Sequence, residues 1–429
     1  MLDLAWIREH EEEVREAARR KGMAFQVEEL LDADRRRRAL VADVEERRRA
    51  RNMRSEGVAR CMREGRKEEA AALQEAGRRE GAELAALEPR LAAAEAALRK
   101  LLLETPNLVS PDTPHGASEA ENIELARRGA PPEFGFEPLD HVELAERHGL
   151  ADFARGAKTA GSRSYYLTGM GALLHRAVQQ LAVDRLLAAG FELLEVPVML
   201  RGGAFEQTGF FPAGEDQVYA LAGEDLRLAG TAEVPLVAYY AGEVLELDRP
   251  IRLAAASACF RSEAGSAGRD TRGLYRVHQF AKVEQVVLCR ADLGEAEALL
   301  QEITGHAASL LEALELPHRV MAVCAGDMSA KTYKQYDLET WMPGRKAYGE
   351  THSSSLLLDY QARRAGIRYR EADGSLKHAY TLNNTAVASP RILVPLLENH
   401  QQEDGSIAIP AALRPYLGGR AKLEAPARS

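Results

Sequence analysis

The chain has 429 residues, 46% of them hydrophobic and 28% charged, with a formal net charge of -9. This length leaves room for two or three domains with a substantial core. No stretch approaches the roughly 20 uninterrupted apolar residues of a spanning helix, so an integral helical membrane protein is excluded. Met1 is followed by Asp3 and by the charged run from Arg8 to Glu13. That pattern suits neither a secretory signal nor a presequence, and a cytoplasmic protein without membrane partners is expected. Cys61, Cys259, Cys289 and Cys324 are far apart and form no C-x-x-C pair. They read as isolated reduced thiols, and no structural zinc is expected.

The first helix is expected around Leu4 to Arg20, packed at the base of a longer helical segment. From residue 27 to about 102 the chain reads as two long helices with heptad spacing. Steps of three and four from Leu30 give Asp34, Arg37, Val41, Val44, Arg48, Arg51, Ser55, Val58 and Met62. The second half gives Leu73, Gly77, Glu80, Leu84, Leu87, Leu91, Ala94, Leu98 and Leu101. Such an a/d seam predicts an antiparallel coiled-coil hairpin with its turn at Gly65 and helices about 50 Å long. Arg35 to Arg38, Arg47 to Arg49, Arg51 and Arg54 make its first helix basic. A solvated face and a phosphate-binding one both fit that run, and both a spacer and a nucleic-acid probe fit the hairpin.

Residues 1–104 are thus assigned to the helical arm. Pro106, Pro111, Pro114, Pro131 and Pro132, mixed with Gly116, Gly129 and Gly135, mark residues 105–135 as a linker leading into a second domain over 136–429. There, Leu173 to Ala189 predicts an amphipathic helix ended by Gly190, with a strand over Phe191 to Val198. Leu253 to Phe260 and Tyr275 to Leu288 read as strands, and Leu293 to Leu314 as a helix. Arg319 to Cys324 and Tyr336 to Trp341 are strand candidates, and Ile392 to Gln402 a closing helix. Neither G-x-G-x-x-G nor a Walker A sequence occurs.

The chemistry concentrates in FRSEAGSAGRDTRGLYRVHQFAKVE, Phe260 to Glu284. Two strands flank a loop carrying Arg269 and Arg272. Side chains alternate along a strand, so Arg261 and Glu263 share a face, as do Phe280, Lys282 and Glu284. Guanidinium, aromatic ring and carboxylate together suit a purine nucleotide and a small zwitterion: rings stack, phosphate takes arginine, and ammonium seeks carboxylate.

Phe260 to Glu284 resembles motif 2 of bacterial-type seryl-tRNA synthetases, class II enzymes. TAEVP at Thr231 to Pro235 is similar to their serine-binding loop, and Leu173 through Pro197 to their motif 1. QARR at Gln361 to Arg364 and LENHQQEDGSIAIPAALRPYLGG from Leu397 to Gly419 extend the likeness. The resemblance implies an α+β fold: the helical arm followed by an antiparallel sheet flanked by helices. It also implies activation of L-serine with ATP and Mg2+, transfer to serine tRNA and, where the host makes it, selenocysteine tRNA, and a homodimer through motif 1.

By the same resemblance Arg261, Glu284 and Arg391 would be catalytic. Thr231, Ala232, Glu233 and Thr385 would bind serine beside Arg261 and Glu284. ATP would meet Arg261, Ser262, Glu263, Val277, Phe280, Glu350, Thr351, His352, Ser353 and Arg391, with Mg2+ on Glu350 and Ser353. Arg37, Arg48, Arg51 and Arg54 would meet tRNA phosphates. The chain departs from the family's wording at His352 and Leu356, in GDMSAKTYKQYDLE from Gly326, at Pro390, and between Glu206 and Pro212. Those departures allow a specialised or inhibitor-resistant paralogue, or a ligase passing seryl adenylate to an acceptor other than tRNA.

Overall fold

The computed structural model describes residues 1–265, 268, 270 and 272–425. The chain forms two compact units. One comprises Asp3–Ala18 and Ala24–Thr105, the other Met1–Leu2, Arg19–Met23 and the chain from Pro106 onward.

In the first unit, helix α1 (Val27–Arg63) packs antiparallel along helix α2 (Lys67–Glu104). At 1.5 Å per residue each runs roughly 55 Å. Gly65, at φ 78, turns the chain between them in the left-handed region that glycine tolerates. The predicted α2 seam is buried or half-buried throughout, with Leu84 and Leu98 deepest. In α1 the seam departs from the expected heptad after Val44. The inward positions become Arg47, Ala50, Arg54, Gly57 and Cys61, while Arg48, Arg51, Ser55 and Met62 are exposed. One step of three replaces the expected four, a local change of phase in the coiled coil. Small residues permit it: a Cβ on Gly57 would sit 3.1 Å from Leu73 Cδ1. The stems of Arg47 and Arg54 fill the seam while their heads pair with Glu83 and Glu80 of α2. Nearer the base, buried Asp34 accepts from Arg8 Nε at 2.8 Å and Nη2 at 3.0 Å. Burial alone would raise the pKa of Asp34, but Arg8 and Arg38 outweigh it and hold the carboxyl below its usual range.

The second unit is built on an eight-stranded sheet. Its strands are β1 (Ile123–Arg128), β2 (Glu192–Leu193), β3 (Ile251–Phe260), β4 (Gln279–Cys289), β5 (His318–Ala322), β6 (Lys334–Met342), β7 (Ala347–Leu358) and β8 (Tyr380–Ser389). Their spatial order is β1-β5-β6-β7-β8-β4-β3-β2, antiparallel except for the short parallel β2–β3 pair. Helices α3 (Gly169–Ala188) and α4 (Leu293–Ala313) lie against one face, where Leu181, Leu300 and Ile303 share a core with Val283, Val287, Leu356 and Leu382. A polar chain crosses that core: His306 Nδ1 to Gln285 Oε1 at 3.0 Å, and Gln285 Nε2 to Asn384 Oδ1 at 2.7 Å.

The structure corrects several sequence expectations. Motif 2's second strand begins at Gln279, not Tyr275, and Phe191 to Val198 contributes only the short β2. Within the stretch read as linker, Ile123–Arg128 pairs with β5 as the sheet's edge strand. Strands β7 and β8 had no counterpart in the sequence reading. The last helix, α5 (Leu393–His400), starts one residue later than expected and ends two earlier.

Candidate active site

Opposite α3 and α4, the sheet forms the floor of a cavity of about 280 Å³. Strand alternation puts Phe280, Lys282 and Glu284 of β4 on this floor while Val283 and Val287 turn to the helices. Thr385 of β8 stands directly across from Glu284, Asn383 across from Ser355 of β7, and Gln335 of β6 beyond Ser355. A bulge shapes the wall. Glu339 pairs with Glu350 and Leu338 with His352, leaving Thr351 as the extra residue. Glu350 and Ser353, three apart, thereby reach the same cavity.

Charge is paired across the cavity. Glu284, 2% exposed, contacts the Lys282 ammonium as an ion pair. Burial pushes the Glu284 carboxyl up, and Lys282 pulls in the opposite direction. Glu233, at the start of the short helix Glu233–Ala238, accepts from Lys331 Nζ at 2.5 Å and from Gln361 Nε2 at 2.7 Å. Thr231 Oγ1 accepts from Glu233 N at 3.2 Å, fixing the turn into that helix. Arg261 donates through Nε to Gly230 O at 3.3 Å and lies 5.3 Å from the Phe280 ring centroid. No carboxylate among the described residues engages its terminal nitrogens. At the mouth, Arg276 donates to Glu263 Oε2 at 2.7 Å. The centroid of the Tyr275 ring is 3.9 Å from the guanidinium carbon of Arg345 and 4.6 Å from that of Arg391. Arg391 is held by Tyr275 O at 3.0 Å and faces Glu350 Oε1 at 3.6 Å.

The chain has counterparts among known proteins over its whole length. A serine–tRNA ligase of Deinococcus radiodurans is 51% identical over 429 residues, covering 100% of both chains. This chain belongs to the seryl-tRNA synthetase family. The family model of the seryl-tRNA synthetase N-terminal domain matches residues 1–109, and that of the class II tRNA synthetase core domain (G, H, P, S and T) matches residues 219–400. A serine–tRNA ligase of Rubrobacter xylanophilus is 42% identical, covering 97% of this chain and 98% of its own. Among solved structures, the seryl-tRNA synthetase of Pyrococcus horikoshii, complexed with ATP, matches at a TM-score of 0.91 and 35% identity, over 99% of this chain and 100% of that one.

Within this seryl-tRNA synthetase cavity the structure brings together Thr231, Glu233, Arg261, Glu263, Val277, Phe280, Glu284, Glu350, Thr351, Ser353, Thr385 and Arg391. Three expected residues do not line it. Ala232 is buried beside Leu236 and Val237. Ser262 Oγ donates to Asp216 O at 2.5 Å. His352 is turned to the helix side by alternation after the bulge, 1% exposed, with Nδ1 2.8 Å from Thr351 Oγ1. Burial pushes its pKa down to about 3, so the ring is neutral. The departure at His352 therefore concerns the core. Leu356 is likewise a core residue.

Of the two motif 2 loop arginines, Arg272 pairs with Asp140 and Arg269 lies outside the described residues. Pro390 precedes the last helix, and its carbonyl accepts from Leu393 N at 2.9 Å. Sequence reasoning missed Phe210, Tyr275, Lys331, Gln335 and Asn383 as cavity residues. The alternating polar positions Asn383 and Thr385 in YTLNNTAVAS were the available signal. On the arm, Arg37, Arg48 and Arg54 face Glu95, Glu88 and Glu80, while Arg51 is exposed.

Proposed function

We propose that this chain activates L-serine with ATP and transfers the seryl group to the 3′ end of serine tRNA. The observation that carries this reading is the convergence of Arg261, Phe280 and Glu284 in one cavity, on a chain that is a seryl-tRNA synthetase along its whole length. Glu284, with Thr231 and Thr385, binds the serine ammonium and hydroxyl. Arg261, whose terminal nitrogens no carboxylate among the described residues claims, takes the serine carboxylate and the α-phosphate. Phe280 stacks on adenine, Glu263 reads its edge, and Arg391 covers the other face and reaches the terminal phosphate.

The serine carboxylate attacks the α-phosphorus and pyrophosphate leaves. A ribose hydroxyl of tRNA then attacks the seryl carbonyl and AMP leaves. Arg261 stabilises charge on the phosphate as it develops, and alignment of two bound substrates supplies much of the remaining rate. No group of three or more His, Cys, Asp or Glu among the described residues could hold a metal by itself. Glu350 and Ser353 offer hard oxygens to one side only, which fits Mg2+ completed by nucleotide phosphates and water. Bound there, Mg2+ would neutralise phosphate charge.

Two further readings belong with this one. Leu173 and Leu187 of α3 are about half exposed, which supports a homodimer through motif 1. A cytoplasmic location accords with the family and with the lack, among the described residues, of a helix long and apolar enough to cross a membrane. ATP–pyrophosphate exchange with each standard amino acid, followed by charging of total tRNA, tests the function. Exchange with serine and charging of serine tRNA are expected. Exchange without charging would instead indicate a non-tRNA acceptor.

A further inference from the structure

The segment that reads SAKT, Ser329 to Thr332, contributes Ser329, Lys331 and Thr332 to the cavity lining. The Lys331 ammonium meets Glu233 at 2.5 Å and sits 3.9 Å from the centroid of the Phe210 ring. Its charge also reaches Glu284. A lysine placed between two carboxylates is useful only if its backbone is fixed, because a misplacement of about 1 Å in a positioning group can cost much of its effect.

What fixes that backbone is a buried lysine outside the cavity lining. Lys21 is 6% exposed and lies in Arg19–Met23, within the same unit. Its ammonium donates to Ser329 O at 3.0 Å, Ala330 O at 3.0 Å and Thr332 O at 2.5 Å. Asn107 holds the remaining carbonyl of the segment, Lys331 O, through Nδ2 at 2.9 Å, and its own N–H donates to Ala330 O at 2.8 Å. Lys21 has no carboxylate partner among the described residues. Burial lowers its pKa to about 7. An apolar side chain would fill the space at less desolvation cost. An ammonium adds one thing an apolar group lacks: three donors at one point, drawing successive carbonyls together.

We propose that Lys21 is a positioning residue of the serine subsite, clamping the carbonyls of Ser329, Ala330 and Thr332 so that Lys331 is aimed at Glu233. The proposal rests on the serine-activating function given above. Lys21→Met, Lys331→Met and the double variant are compared with wild type by serine-dependent pyrophosphate exchange. In Lys21→Met the Michaelis constant for serine should rise about tenfold while that for ATP stays within about twofold. Because Lys21 acts through Lys331, the double variant should resemble Lys331→Met alone.

An unchanged serine constant in folded Lys21→Met overturns the proposal, as does an equal rise for both substrates or a double variant whose losses multiply. If Lys21→Met does not fold, Lys21→Gln, which keeps two N–H donors, should show a smaller rise confined to serine. An unchanged serine constant there overturns the proposal, and so does failure of both variants to fold, which would assign Lys21 to stability alone. Wild-type protein without serine-dependent exchange would overturn the function itself, a result distinct from all of these.

Discussion

Glu284 and Lys282 stand two residues apart on one strand face, both buried and paired, and under the proposed assignment the serine ammonium competes with Lys282 for Glu284. Glu284→Gln should therefore raise the Michaelis constant for serine far more than that for ATP. Removing the charge opposite a desolvated ammonium costs about 2–5 kcal/mol; separate constants for the two substrates check it, and equal rises would refute the assignment. Arg391 is anchored by Tyr275 and faces Glu350 even though Pro390 precedes it. Arg391→Ala should slow serine-dependent exchange at least tenfold, about 1.4 kcal/mol of transition-state stabilisation. His352 shows where residue-level reading stops. Its neighbours Thr351 and Ser353 line the cavity, and only the bulge decides which side the ring takes, a choice set by pairing with Leu338 across the hairpin. The consequence is a stability effect. His352 is neutral in the fold, with its pKa depressed from 6.5 to about 3. Below pH 6.5 the unfolded chain binds a proton that the folded one refuses, so this contribution is present at neutral pH and lost as pH falls toward 3. Between pH 7 and 5 wild type should lose up to about 2 kcal/mol more than His352→Gln in urea unfolding, while the ATP constants of the two stay alike.

Elements were legible where their pattern was apolar and periodic. Helices α3 and α4, and the α2 half of the arm, carry such stripes, and the chain's hydrophobic period locates them. Strands β7 and β8 carry Ser353, Ser355, Asn383 and Thr385 on their cavity face and Ser354 and Asn384 on the other, so polar residues occupy both faces and no polar–apolar alternation marks a strand. The motif 2 residues were legible because Phe280, Lys282 and Glu284 alternate plainly, whereas Lys331 and Phe210 reach the cavity from segments with no period at all. In α1 the heptad count fails after Val44 because arginine stems and small residues, not leucines, occupy the seam. That correction separates two apolar side chains of the arm. Leu84→Ala, in the seam, should cost about 2–5 kcal/mol of local stability. Met62→Ala should stay within about 0.5 kcal/mol, since Met62 is 54% exposed. Hydrogen exchange along α1 and α2 measures both, and comparable losses would restore the unbroken heptad.

At the scale of the molecule, the chain joins a helical unit built on the α1–α2 seam to one whose core is a sheet faced with helices. Shortening the arm within its own helix–helix seam should leave the sheet unit folded. Joining the helices by a short turn in place of residues 48–84 removes Arg48, Arg51 and Arg54 together with Glu80 and Glu83. Serine activation needs only small substrates in the sheet unit's cavity and should persist at near wild-type rate. Charging should collapse, because contacts to phosphate are what orient an RNA whose 3′ end must meet the adenylate. Arg48 and Arg54 already carry glutamate partners on the arm, so phosphate must displace those partners and the gain per arginine is modest. Binding should then depend on many arginines at once and fall steeply with salt. Raising salt on the intact chain should mimic the excision in part, weakening charging while sparing pyrophosphate exchange. The decisive measurement is both activities on one excised protein shown to be folded. Charging at wild-type efficiency would make the arm a spacer, and loss of both activities would mean that the arm shapes the cavity itself.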